Sequence, residues 1–516
     1  MSSDLWSLLD PSLTRNARRT AWVCRERKNR REVSYGQLRE AALHIASELR
    51  ELDVEPGDVV GVTAPNGPEW TVAALATWKL GACLAPIHIG NSYHEIGQQV
   101  AAVAPSAMLV HDCKREMFDN PRDIVIEADP ARVREEAAIA PAAEAGETAM
   151  RIYTSGSTGN PKVVRLSHRN LVSNAEAVAG IGRFNRDDRF ISLLPFSHAM
   201  GLTANLTVPL YAGARIVAPR VIAAGEILLT LEQEHISVVV AVPRLFRNIM
   251  LGLEKRFAEG GEGLRRYRAV LKKLPVPLRR RLNAPLRKKF GGRIKYWVSG
   301  GSHLDGRISR YYHNLGLPLR QGYGLTETSP VVSLQDDFDS AVESVGKPIE
   351  GVEVKIHQPD AGGSGELWLR GPNVMLGYDD PEQTSEVMQD GWFKTGDIAR
   401  LDEAGRIVLT GRKKRLIVTD AGKNVYPEEL ETLLERDPVV KEAGVLEAEL
   451  RPVAVLAMDG DDPEAEARRV LKDFNELVSP HNRIQRFALM DELPRTPLGK
   501  MALQQLPEVF AANEIT

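Results

Sequence analysis

Short, apolar, β-rich runs set apart by stretches of helical spacing constrain this chain more than any other feature. GDVVGVTAPN (57–66), AMLVH (107–111), SVVVAV (237–242) and IKYWVSG (294–300) are short runs of this kind, with helical pattern between them. A strand that is apolar on both faces must be covered on both, which is the situation of a parallel sheet between helices. Helical segments stand where they are needed. Leu38, Ala42, Ile45 and Leu49 form one apolar stripe in VSYGQLREAALHIASELREL, and WTVAALATWKLGA (70–82) follows the first strand. The expected fold class is therefore α/β, with largely parallel sheets. GELWLRG (365–371) and GRIVLTG (405–411) are close together, rich in turn residues, and read as antiparallel strands of a small β region. After Arg412 the pattern becomes helix (427–436), strand (443–448), strand (452–458), helix (464–478). This is enough for a separate α+β domain of about 100 residues. For 516 residues we expect one large domain over 1–412 and a small one over 413–516.

The balance of 66 Lys+Arg against 69 Asp+Glu leaves a net charge of -3, which excludes a surface given over to nucleic acid. There is no apolar run of about 18 residues to cross a membrane. No secretory leader pattern opens the chain, and Cys24, Cys83 and Cys113 match no metal spacing. Reduced thiols and a cytoplasmic location are expected.

One stretch carries chemistry. YTSGSTGNPK (153–162) places four Ser/Thr hydroxyls and two glycines ahead of a lysine, between strand and helix pattern. Glycines let a backbone pass close to an anion, amide N–H groups and hydroxyls then bind phosphate oxygens, and a lysine adds charge. No G-K-[ST] closes it, so it is not the P-loop of kinase-like NTPases. The competing reading is a flexible Ser/Gly linker.

YTSGSTGNPK resembles the phosphate loop of the adenylate-forming (AMP-binding) enzymes: acyl- and aryl-CoA synthetases, stand-alone adenylation domains and beetle luciferases. QGYGLTETSP (321–330), GELWLRGPNVMLGY (365–378), GWFKTGDIA (391–399), GRKKRLIVTDAGKNVYPEELE (411–431) and PRTPLGKMAL (494–503) are similar to later motifs of that family, in its order. The resemblance covers about residue 33 to about 503 and implies an acyl-CoA synthetase of the fatty-acid–CoA ligase type, using ATP, Mg²⁺ and CoA. It implies ATP/AMP contacts from Thr154, Ser155, Gly156, Ser157, Thr158, Gly159, Lys162, Gly300, Ser302, Gly322, Tyr323, Gly324, Thr326, Asp397 and Arg412. Each has a physical rationale. Glu327 is a hard oxygen ligand for Mg²⁺, and Thr326 can bond a phosphate oxygen. Tyr323 offers a flat face to adenine. Asp397 and Arg412 can bind the ribose hydroxyls. The plainer alternatives are that Tyr323 is core packing and that Asp397 caps a helix. Lys500 resembles the catalytic lysine of the small domain, whose ammonium would stabilise charge growing at the α-phosphate.

The resemblance further implies two half-reactions, adenylation and then thioester formation, with the small domain swinging on Lys414. Gly422 and Lys423, in TDAGKN (419–424), would then line a thiol tunnel. His198, in LPFSHAMGL (194–202), is expected at the wall of the acid pocket, with Gly300, Gly301 and Gly324 leaving room for an apolar acid. The absence of an acidic residue in PFSHAM argues against an amino-acid substrate. Val163 and His303 depart from the usual pattern, which has glycine and proline there. Segment 255–295 is strongly basic; it reads as a solvated helix face or as a surface for anionic lipid, an acidic carrier or CoA phosphates. Three rivals stand beside the favoured medium- or long-chain fatty acid–CoA ligase. They are an acyl carrier protein ligase, an enzyme passing the adenylate to a non-thiol acceptor, and a non-catalytic nucleotide-binding regulator. The acceptor and the oligomeric state, monomer or homodimer, stay open.

Overall fold

The computed structural model describes residues 4–26, 29–113, 123–125, 144, 146–154, 162–259, 266–267, 269–271, 273–317, 319–336, 343–419, 424–495 and 501–515. The chain divides into two compact units, Met1–Glu353 with Leu369–Phe393, and Val354–Trp368 with Lys394–Thr516.

Among the described residues the first unit is built on two sheets, one of seven strands and one of nine. Parallel strands Val59–Thr63, Cys83–Pro86 and Ala107–Val110 run through the seven-stranded sheet. Thr148–Thr154 joins them, followed by its antiparallel neighbours Lys162–Ser167 and Gly377–Tyr378. The nine-stranded sheet has a parallel core of Thr20–Arg25, Arg215–Ala218, Arg189–Ile191, Val238–Ala241, Tyr296–Ser299 and Leu319–Gly324. Antiparallel strands close its two edges. Every residue of Val59–Thr63 and Val238–Ala241 is buried, as their apolar character on both faces demands.

The helices start and stop where local chemistry directs. Ser34 accepts from the Gln37 N–H while the Gln37 side chain accepts from the Ser34 N–H, so a capping box opens helix Tyr35–Glu51. Its buried face includes the expected Leu38, Ala42, Ile45 and Leu49. Pro68 opens helix Pro68–Lys79 in the first turn, where its missing N–H costs nothing. Prolines also punctuate the basic segment, giving short helices Val276–Leu282 and Ala284–Lys289, with Leu278 and Leu282 exposed beside Arg279, Arg280 and Arg281.

In the second unit, helix Pro463–Leu477 packs Ala467, Val470, Leu471 and Phe474 onto strands Val440–Ala448 and Arg451–Met458. GELWLRG and GRIVLTG do become strands, Gly365–Arg370 and Ile407–Arg412, but they are not each other's partners. Trp392–Leu401 neighbours both. No helix among the described residues is long and apolar enough to cross a membrane.

Candidate active site

The phosphate-loop motif does not join a strand to a helix, as its flanking pattern suggested. It links two antiparallel strands, with Thr154 and Lys162 as Cα partners at the mouth of the hairpin. Thr154 Oγ1 donates to the Lys162 carbonyl at 3.3 Å. Ser155, Gly156, Ser157, Thr158 and Gly159 lie outside the described residues. Val163 fills a structural place: its side chain packs against Val59, Cys83, Ala85 and Val103, and its carbonyl accepts from Asp379 N–H at 3.0 Å.

Lys162 reaches across to the ring of Tyr378, with Nζ 4.4 Å from the centroid. The Tyr378 hydroxyl donates to Glu327 Oε1 at 2.9 Å. Three stretches of chain therefore meet at one point. Burial, reinforced by the neighbouring Glu327 carboxylate, holds the Tyr378 hydroxyl above its ordinary pKa, so it stays a donor. Glu327 Oε2 accepts no hydrogen bond among the described residues, and no group of three or more metal-binding side chains forms among them. A single carboxylate with one uncommitted oxygen fits Mg²⁺, which takes one or two protein carboxylates and draws its other ligands from phosphates and water.

The turn that presents Glu327 is pinned by buried amides the sequence reading missed. Asn174 donates to the Val331 carbonyl at 2.7 Å and accepts from its N–H at 3.2 Å. Asn373 donates to the Thr328 carbonyl at 3.1 Å, and Asn170 donates to the carbonyls of Pro372 and Val374, both at 2.7 Å. The one available signal was Asn170 and Asn174 four apart on the buried face of helix His168–Gly182. Thr203, which opens a π-helical turn (Thr203–Thr207), donates to the Ser329 carbonyl at 3.1 Å. Tyr323 is 8% exposed. Gly322 and Tyr323 lie on Leu319–Gly324, and Thr326 opens the 3₁₀ turn Thr326–Thr328. The glycine at 324 serves the turn itself, because a Cβ there would lie 1.7 Å from the Pro330 carbonyl oxygen.

His198 stands next to His88, ring centroids 5.6 Å apart, at the start of helix Ala199–Leu202. Burial holds His88 below its ordinary pKa and so favours a neutral ring. Met200 fills the space beside Gly300 and Gly301; a Cβ at Gly300 would meet its sulfur at 2.8 Å and one at Gly301 its methyl at 3.1 Å. Ser302 and His303 are exposed.

In the second unit, Asp397 and Arg412 are Cα partners across a hairpin, and Arg412 Nε lies 2.6 Å from Asp397 Oδ1. Asp397 is 4% exposed and lies within strand Trp392–Leu401, so it caps no helix. Lys414 is exposed between two tied neighbours: Lys413 bonds Glu366 at 2.9 Å, and Arg415 bonds Glu428 at 2.9 Å and Glu431 at 2.6 Å. Gly422, Lys423 and Lys500 lie outside the described residues.

The fold and the site motifs are those of an adenylate-forming enzyme. Residues 9–379 match the family model for the AMP-binding enzyme, and the chain belongs to that family. It is 30% identical to the long-chain-fatty-acid–CoA ligase FadD15 of Mycobacterium bovis, over 92% of this chain and 90% of that protein. It is 28% identical to the indoleacetate–CoA ligase of Aromatoleum aromaticum, over 93% and 94%. Among solved structures, the o-succinylbenzoate CoA synthetase MenE of Bacillus subtilis, in complex with its acyl-adenylate intermediate, superposes with a TM-score of 0.80. The two are 25% identical, over 98% of each chain.

Proposed function

We propose that this AMP-forming acid–thiol ligase acts on a medium- or long-chain fatty acid, or an acid of similar polarity, with CoA as acceptor. A carboxylate oxygen attacks the α-phosphorus of ATP, the bond to the bridging oxygen breaks, and pyrophosphate leaves an acyl-adenylate behind. The CoA sulfur, having given up its proton, then attacks the acyl carbon, and AMP departs with the electron pair of the broken C–O bond.

The observation that carries this reading is the meeting of Lys162, Tyr378 and Glu327. Lys162 offers positive charge to the phosphates, and Tyr378 fixes one oxygen of Glu327 and leaves the other as the one that would hold Mg²⁺. Mg²⁺, when bound there, offsets the charge of the triphosphate. Asp397 and Arg412 take the ribose, Lys500 the charge at the α-phosphate, and Lys414 the turning of residues 413–516 that brings Gly422 and Lys423 to the thiol. The exposed position of Lys414 between two anchored residues suits a pivot. An apolar acid is favoured by the flexible Met200 thioether beside Gly300 and Gly301, and by the lack of an acidic residue in PFSHAM to receive an amino group.

A pyrophosphate-release assay over a panel of fatty and aromatic acids, with and without CoA, tests the reading. AMP and pyrophosphate are expected, with CoA-dependent turnover fastest for apolar chains. ADP as product would refute the mechanism. Turnover that ignores CoA but needs a holo-carrier would establish the carrier-ligase alternative.

A further inference from the structure

Thr20–Arg25, Arg189–Ile191, Arg215–Ala218 and Tyr296–Ser299 run parallel and all begin at the same end of the nine-stranded sheet. The site residues above follow the opposite ends of its parallel strands, at Gly300 and Tyr323–Glu327. At the end where the parallel strands start lies a cavity of about 410 Å³ whose wall carries Arg18, Arg19, Arg186, Arg189, Arg215 and Arg293.

Topology forces part of this crowding. Arg189 and Arg215 are Cα partners on adjacent parallel strands, so both guanidinium groups leave the same face of the sheet at the same level. Like charges placed opposite each other destabilise a sheet. Two carboxylates share the wall, and both are engaged. Asp187 lies 3.4 Å from Arg19, and Asp188 is held by Lys295 at 2.8 Å and the Ser237 hydroxyl at 2.9 Å. Among the described residues no carboxylate forms an ion pair with Arg18, Arg186, Arg189, Arg215 or Arg293. Arg189 is fixed by a 2.7 Å bond to the Glu234 carbonyl. Burial, then the charges of Arg215 and Arg293, hold its pKa below the ordinary value, against a smaller opposing pull from the Glu234 carboxylate.

We propose that this cavity binds a small, multiply charged phosphate anion at a site separate from the one where the acid reacts. Planar guanidinium forks match phosphate oxygens two at a time, and a site of this volume accepts a compact anion. A phosphate ester or free pyrophosphate has the required chemistry. The inference uses nothing from the proposed reaction and stands or falls apart from it.

Calorimetric titration with sodium pyrophosphate at low ionic strength tests it, on the wild type and on the double variant Arg215→Ser/Arg293→Ser. Neither residue belongs to the proposed catalytic machinery. The wild type should show a binding event that weakens at least tenfold in the serine variant and returns in Arg215→Lys/Arg293→Lys, with acid-activation rates unchanged. Relief of like-charge crowding should leave the ligand-free serine variant at least as heat-stable as the wild type. Identical isotherms for wild type and serine variant would overturn the proposal. So would a ligand-free loss of stability with pyrophosphate binding intact, since the arginines would then be structural. Capture by anionic vesicles without any response to pyrophosphate would also overturn it, in favour of a lipid surface.

Discussion

At the scale of single residues, chemistry-bearing side chains could be read from the sequence more readily than the groups that aim them. Lys162 and Glu327 stand in motifs, and their residue types alone suggest phosphate and metal. Tyr378 stands in a quoted motif too, yet nothing local says that its hydroxyl reaches a carboxylate 51 positions away. Tyr378→Phe isolates that contact, because the ring under the Lys162 ammonium is kept. A hydrogen bond to a charged group contributes roughly 1.5–3 kcal/mol. The Mg²⁺ concentration needed for half-maximal pyrophosphate release should therefore rise about tenfold or more, while the melting curve stays close to wild type. An unchanged Mg²⁺ dependence would reduce Tyr378 to packing. Gly324 teaches the converse. Its small size suggested room for a substrate, but the Pro330 carbonyl occupies the place of its missing Cβ.

Among elements, type was legible and partnership was not. The strand and helix patterns reappear within a few residues, because periodicity and caps are local properties. Pairings depend on what packs elsewhere: the strands that flank the phosphate loop pair antiparallel with each other, and Trp392–Leu401 neighbours both Gly365–Arg370 and Ile407–Arg412. One contact between helices should be visible in solution. His168, at the start of helix His168–Gly182, accepts at Nδ1 from the N–H of Leu5, the first residue of helix Leu5–Arg15, at 3.2 Å. Burial lowers its pKa from 6.5 to about 4. An unfolded chain takes up this proton near 6.5, whereas the folded one resists until about 4. The contribution of His168 to stability is therefore whole above the higher value, declines as pH falls through the interval, and levels off below it. From pH 7 to pH 5 the loss is about 2 kcal/mol. Urea unfolding at the two pH values should show His168→Asn losing less stability than wild type by about that amount. Equal losses would mean that the proton goes elsewhere.

Over the whole molecule, the proposed division of labour assigns charge stabilisation to Lys500 and the pivot to Lys414. Lys500→Ala should slow acyl-adenylate formation about a hundredfold or more. The same variant should still convert supplied acyl-adenylate and CoA to thioester. Equal loss in both half-reactions would contradict the assignment. The amino-acid sequence by itself determined the α/β class, the change of pattern near Arg412 and, through ordered motifs, the enzyme family, because these rest on spacing and residue type along the chain. Tertiary structure alone decided that Tyr378 steadies Glu327, that Asn174 and Asn373 hold the turn beneath it, and that Arg189 and Arg215 face one another across two strands. Such meetings depend on register and packing between distant segments, which are set by the burial of the whole core and by no short stretch of residues.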